Sequence, residues 1–147
     1  MTVISSTSAA DSIRRGALRT FQHLGYAGIA EMTLANSRRA DLVLIGSSGD
    51  IAIVEIKSCR TDFQTDAKWP EYQEYCDLFY FAVDERFPSD LIPDEAGLII
   101  ADGFGGAVVR DAPRVALPAA RRKAMTLKFA RAAALRVMRL DDPVHGG

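Results

Sequence analysis

Asp41, Glu55 and Lys57 are the residues whose types and spacing suit chemistry. Two carboxylates beside an ammonium make a seat for a hard divalent cation and for the phosphate that such a cation polarises. Mg²⁺ takes oxygen ligands at about 2.0–2.1 Å and is commonly held by one or two carboxylates together with water and phosphate. A lysine alongside orients a water or neutralises charge developing on a phosphate. Such chemistry requires the three side chains to meet.

The elements that must bring them together are two short apolar arms. Arg39-Ala40-Asp41-Leu42-Val43-Leu44-Ile45 and Ile51-Ala52-Ile53-Val54-Glu55-Ile56-Lys57 are rich in Val, Ile and Leu and too short for helices. Gly46-Ser47-Ser48-Gly49-Asp50 between them is turn chemistry, so the pattern predicts a β-hairpin. Side chains alternate along a strand. Glu55 and Lys57 therefore share a face with Ile51 and Ile53, opposite Ala52, Val54 and Ile56. A turn centred on Ser48 sets Ile45 against Ile51, Val43 against Ile53 and Asp41 against Glu55, with opposed Cβ atoms roughly 4.5–5.5 Å apart. Like charges in that position repel. Lys57 and Arg39 are two nearby cations, but a divalent metal compensates better. A one-residue slip would send Asp41 to the other face. The competing reading is a solvated strand edge with scattered charges.

The 147-residue chain suits one domain, and its 48% hydrophobic and 25% charged residues are ordinary for a soluble globular protein. A net charge of −1 excludes a global basic field, so any nucleic-acid contact must come from a local patch. No run has the length of a transmembrane span, and the N-terminus lacks the pattern of a secretory signal. A cytoplasmic protein without membrane contact is expected. Cys59 and Cys76 lack zinc-site spacing, and His23 and His145 have no ligand partners at useful spacing.

Ile13, Ala17, Phe21 and Leu24 predict an amphipathic helix from about Ser8, with Gly25 as its cap. Tyr26 to Leu34 reads as a strand. Within it Glu31 is either a third carboxylate near the hairpin or a solvent-facing residue. A polar connection after Lys57 leads to a short helix near Trp69, with Pro70 in its first turn and Tyr72, Tyr75, Cys76 and Phe79 as its buried stripe. Glu71 and Glu74 are expected to face solvent, with Gln73 to one side. Leu78 to Val83 reads as a strand buried on both faces. Gly97 to Ala101 and Ala107 to Arg110 follow as strands, with a loop from Asp84 to Glu95 before them. Ala119 to Leu140 predicts a long helix whose inner side carries Met125, Phe129, Ala132, Ala133, Arg136 and Val137. Its seven cations, with no acid before Asp141, are either a solvated face or a phosphate or partner surface. Residues 1–7 and 141–147 read as flexible tails.

The order helix–strand–strand–strand–helix–strand, with Asp41 opening the second strand and Glu55-Ile56-Lys57 ending the third, resembles the PD-(D/E)XK nuclease superfamily. Ala40 stands where the literal motif has proline. A closer resemblance spans nearly the whole chain. Ser37-Arg38-Arg39-Ala40-Asp41-Leu42, Ile53-Val54-Glu55-Ile56-Lys57-Ser58, Asp62-Phe63, Asp66-Ala67-Lys68-Trp69-Pro70-Glu71-Tyr72, Tyr75-Cys76-Asp77 and Phe79-Tyr80-Phe81-Ala82-Val83 look like the MmcB-like DNA repair protein family. Gly97-Leu98-Ile99-Ile100-Ala101-Asp102 and Ala120-Arg121-Arg122-Lys123 are similar to it as well.

The resemblance implies an α/β (α+β), restriction-endonuclease-like core: a central mixed sheet flanked by helices, with additional strands and a long C-terminal helix. It implies Asp41 and Glu55 as metal ligands, the Ile56 carbonyl as a further ligand and Lys57 as the catalytic lysine, with Mg²⁺ or Mn²⁺ as cofactor. Asp62, Lys68 and Asp77 match polar positions of the family, and capping and salt bridging around the short helix is their alternative role. Glu31, Asp62, Lys68 and Gln73 are the further site candidates. Arg38, Arg39, Arg121, Arg122 and Lys123 are the candidates for holding a DNA backbone. The expected function is a metal-dependent DNA endonuclease in repair. The alternative is an inactive module of the same fold that binds DNA or a repair partner. A homo-oligomer is compatible with either.

Overall fold

Strands β1 Tyr26–Thr33, β2 Arg39–Gly46, β3 Ile51–Ile56, β4 Leu78–Val83, β5 Gly97–Ala101 and β6 Gly106–Arg110 lie side by side in chain order in one six-stranded sheet. The computed structural model describes residues 5–64 and 68–145; residues 1–4, part of the expected tail, and 65–67, which include Asp66 and Ala67, lie outside the described residues with 146–147. β1–β2, β2–β3 and β5–β6 pair antiparallel, while β3–β4 and β4–β5 pair parallel. Parallel neighbours need a crossover. The first contains helix α2 Arg60–Gln64 and a 3-10 helix at Trp69–Tyr75, and the second a 3-10 turn at Ser89–Leu91. Helices α1 Ser5–His23 and α3 Ala119–Asp141 flank the sheet. The class is the expected α+β mixed sheet with a long C-terminal helix.

The hairpin register is the one that the turn chemistry predicts. Ile45 pairs with Ile51, Leu44 with Ala52, Val43 with Ile53 and Leu42 with Val54. The turn closes through Gly49 N–H to the Gly46 carbonyl at 2.9 Å, and Gly49 has φ +95°, which a glycine adopts without strain.

Alternation splits the sheet into two buried faces. Leu42, Leu44, Ala52, Val54, Tyr80, Ala82 and Ile99 pack with Ile13, Ala17 and Phe21 of α1. Val43, Ile51, Ile53, Phe79, Phe81 and Val83 pack with Tyr72, Cys76, Phe87, Leu117 and Met125. Burial on both faces explains why β4 scarcely alternates. α1 sits close because Gly16 lacks a side chain; a Cβ there would collide with the Asp102 and Gly105 carbonyls.

Several local expectations change. α1 is already formed at Ser5, within the expected tail, and ends at His23, so Leu24 is exposed rather than part of the buried stripe. The short helix near Trp69 is present, and over residues 69–75 it winds as a 3-10 helix. Its Trp69 and Tyr72 rings stack on Phe79, at centroid distances of 5.8 and 6.2 Å. Glu71 is half-buried and pairs with Arg38 at 3.3 Å instead of facing only solvent. Val137 is exposed, because α3 turns only Met125 fully inward and Phe129, Ala132, Ala133 and Arg136 partly so. Asp141 belongs to α3, and Pro143–His145 form a 3-10 turn within the stretch expected as the C-terminal tail.

A buried carboxylate ties the layers together. Asp77 accepts the N–H of Ile51 at 2.8 Å, the N–H of Leu117 at 2.9 Å and both arms of the Arg122 guanidinium at 2.6 and 2.7 Å. Its own N–H donates to the Ile51 carbonyl at 2.8 Å, and its carbonyl accepts the Val115 N–H at 3.0 Å. One residue thus joins the start of β3, the start of β4, the connector and α3. Burial alone would push its carboxyl up; Arg122 and the two amides outweigh burial and hold it at about 2.

The folded carboxyl titrates below its unfolded counterpart, so its contribution is complete above the ordinary carboxylate range and lost as pH falls towards 2. A shift of this size corresponds to about 2 kcal/mol. Asp77→Ala strands the Arg122 guanidinium and two amides and should cost about 3–5 kcal/mol, read by urea unfolding. A loss below about 1 kcal/mol would refute the staple.

Candidate functional site

Beyond the Leu42–Val54 pair the backbone ladder between β2 and β3 gives way to side chains. Asp41 and Glu55 come next, facing each other as the sequence register predicts. Asp41 N–H donates to Glu55 Oε2 at 2.7 Å, and Ile56 N–H donates to Asp41 Oδ2 at 2.8 Å. Each acid thus bonds the opposite strand's main chain. Hydrogen bonds to ionised acceptors are short and strong. They offset the repulsion that directly opposed acids would otherwise impose.

Glu55 and Lys57 are only 4% and 7% exposed, unusual for charged side chains. The Lys57 N–H donates to the Ala82 carbonyl at 3.0 Å, which fixes its backbone against β4. Burial raises the Asp41 carboxyl above its ordinary value. The Ile56 amide, Lys57 and Arg39 oppose that rise, and Asp62 adds to it.

These residues line a cleft of about 500 Å³. Asp11 and Arg14 come from α1, Glu31 from β1, Arg39 and Asp41 from β2, and Glu55, Ile56 and Lys57 from β3 and its end. Ser58, Asp62 of α2 and Tyr72 complete its polar lining. The Tyr72 hydroxyl donates to the Arg39 carbonyl at 3.2 Å.

Glu31 falls between the Ala30–Leu42 and Met32–Ala40 pairs, level with Asp41. Its φ is +55°, a left-handed conformation that a non-glycine residue adopts at a cost. Its carboxylate lies 3.5 Å from Arg39 and 4.0 Å from Arg14, and its carbonyl accepts Arg136 Nη2 from α3 at 2.9 Å. The strand pattern could not disclose that inversion.

The other candidates separate. Asp62 lines the cleft, whereas Lys68 precedes the 3-10 helix, exposed and outside the lining. Gln73 donates to the Glu95 carbonyl at 3.2 Å in a different groove, beside Pro70 and Cys76. Arg39 borders the cleft, but Arg38 pairs with Glu71. Arg121 donates to the Glu74 carbonyl at 2.8 Å and covers the Tyr75 ring. Arg122 is engaged by Asp77, and Lys123 is exposed. Asp77 itself belongs to the interlayer staple, not to capping of the short helix. Asp11, Arg14 and Tyr72 are lining residues that the sequence did not single out. Arg14 lies three residues after Asp11 and off the apolar stripe, a spacing that makes neighbours on a helix.

Among the described residues no group of three or more His, Cys, Asp or Glu side chains is placed to hold a metal. What the hairpin offers is two carboxylates and the nearby Ile56 carbonyl, all hard oxygen donors. That sparse set suits Mg²⁺ or Mn²⁺, which retain water ligands, better than the three or four protein ligands typical of zinc.

A family model described as DNA repair protein MmcB-like matches residues 3–144. The chain is 42% identical to a solved protein of unknown function from Silicibacter pomeroyi, with 95% of each chain covered and a TM-score of 0.90. The comparison with curated proteins gave no match. Among the described residues no helix is long and apolar enough to cross a membrane. The chain belongs to the MmcB-like DNA repair protein family.

Because the Asp41 carboxyl is harder to ionise folded than unfolded, its charge weakens the metal-free fold at neutral pH, and stability gains as pH falls through that raised value. Asp41→Asn removes the charge and keeps an amide oxygen for the Ile56 N–H. It should raise metal-free stability, measured as a higher thermal-unfolding midpoint in EDTA; a lowered midpoint would contradict this account of the pair.

Proposed function

We propose that this member of the MmcB-like family is a Mg²⁺- or Mn²⁺-dependent DNA endonuclease of the PD-(D/E)XK type, acting in repair in the cytoplasm. The observation that carries the reading is the reciprocal pairing of Asp41 and Glu55 at the end of a hairpin, with a buried lysine two residues on. Two opposed carboxylates and a lysine with so little solvent are unusual at a purely structural strand end, and a divalent ion would relieve the burial that disfavours the Asp41 charge.

Asp41, Glu55 and the Ile56 carbonyl would hold the ion. When bound, it would lower the pKa of a coordinated water and polarise the scissile phosphate. The residues supply the rest. The amides of Asp41 and Ile56 fix the carboxylates in position before any ligand arrives, so little reorganisation remains for the reacting state. Lys57 presents an ammonium to the attacking water or to charge developing on the phosphate. Asp62 and Tyr72 complete a polar wall. Arg39 offers a backbone contact at the rim, which positions DNA without reading its sequence.

A second reading is an inactive module of the same fold that binds DNA or a repair partner. One observation favours its partner-binding form: Arg38, Arg121 and Arg122 are engaged by the protein's own groups, which shortens any basic track for DNA.

Nicking of supercoiled plasmid with Mg²⁺ or Mn²⁺ separates the two. The nuclease predicts metal-dependent nicking that falls by about 100-fold or more in Glu55→Ala and Lys57→Ala. It also predicts calorimetric Mn²⁺ binding that is lost in Asp41→Asn. DNA retention without nicking, indifferent to these changes, would establish the module instead.

A further inference from the structure

The rim of the cleft holds an arrangement that the Asp41, Glu55 and Lys57 constellation does not use. Two guanidinium groups from different elements, Arg14 of α1 and Arg39 of β2, converge on one carboxylate, that of Glu31. All three line the cleft. We infer that Arg14 and Arg39 form a seat for a backbone phosphate of the bound DNA strand, and that Glu31 fills this seat in the free protein. This rests on the nuclease reading and extends it to a phosphate beside the scissile one.

Three observations support the seat. The first is chemical. A carboxylate and a phosphodiester both offer two equivalent terminal oxygens to a guanidinium fork, so a site that accepts one accepts the other. The second is energetic. The Glu31 side chain is 53% exposed and that of Arg39 66% exposed, and ion pairs in such solvent are weak. An incoming phosphate therefore has little to displace.

The third is conformational. Ala30 packs against the core on the α1 side, while Met32 belongs to the core on the opposite face. Residues two apart on a regular strand share a face. The strand thus changes face at Glu31, where its backbone is left-handed, and β2 does the same opposite it, between Leu42 and Ala40, while the register continues on both sides. A weak exposed ion pair does not by itself maintain an unfavourable backbone. The Arg136 bond from α3 to the Glu31 carbonyl holds it there.

Charge gives the arrangement a purpose. The cleft lining carries five carboxylates against three cations, a balance that repels DNA. A divalent ion would offset two of those charges, and withdrawal of Glu31 from the Arg pair would remove a third from the path of the strand. Arg14 and Arg39 also have different ties. Arg14 is held in addition by Asp11 of its own helix at 2.8 Å, while Arg39 faces Glu31 at 3.5 Å. Arg39 is thus the less tethered of the two.

The test is fluorescence anisotropy of a short labelled DNA duplex in Ca²⁺, at low and at physiological salt, with thermal unfolding of every variant alongside. Glu31→Gln keeps the carbonyl that Arg136 uses and should tighten binding about three- to tenfold at low salt. Arg14→Gln and Arg39→Gln should each weaken it, and replacing both should reduce the magnitude of the salt slope by about one. In the double variant lacking both arginines, Glu31→Gln should no longer tighten binding; that loss of coupling is the result a merely structural glutamate would not give. Unchanged or weaker binding by Glu31→Gln, with wild type binding DNA, overturns the seat and leaves the nuclease reading standing. If wild type binds no DNA, the nuclease reading fails. The seat is then decided by titrating dimethyl phosphate and following the Arg14 and Arg39 side-chain NMR signals in Glu31→Gln. Shifts at both sustain it, and their absence overturns it.

Discussion

Strand β3 is held at both ends by carboxylates bonded to its main chain. At its start the Ile51 amide meets Asp77, and at its finish the Ile56 amide meets Asp41. Between these points its residues through Val54 are buried, and its neighbours on both sides are paired strands. A strand so clamped cannot slip by one residue without losing both bonds and reversing every side chain between two cores. The position of Glu55 and Lys57 follows from that clamp, and so does the attachment of α3, because the Asp77 carboxylate that binds β3 also binds Arg122.

The two clamps use the same bond for different ends. Asp77 is surrounded by donors that satisfy it fully, and its acidity is strengthened. Asp41 has fewer, and burial prevails, so its acidity is weakened. A buried ion whose donors outweigh burial is a structural element, whereas a carboxylate that burial disfavours is a candidate for a functional site. The contrast distinguishes residues of the same type that a sequence presents alike.

The hairpin was legible because its information is local. The Gly46–Asp50 turn fixes the register, and alternating apolar residues on both arms confirm the faces, so opposition of Asp41 to Glu55 follows by counting. The roles of Asp77 and Arg122 were not legible, since their contact joins residues 45 apart in sequence and no periodicity reports it. For the same reason a run of cations on α3 read as an available basic surface, although Arg121 and Arg122 are engaged inward. Glu31 was ambiguous because two turn registers put it on opposite faces, and its left-handed backbone leaves no mark on composition or pairing. Gln73 shows the limit of helical spacing: the 3-10 winding of Trp69–Tyr75 places it by another groove.

The amides of Asp41 and Ile56 stand just outside the β2–β3 backbone ladder and depend on side chains for their protection. Their exchange with solvent deuterium is therefore governed by what those two carboxylates are doing, not by opening of the sheet. They form a natural pair of reporters within a rigid scaffold. Whatever recruits either acid, a proton or an ion, must register at these two main-chain nitrogens.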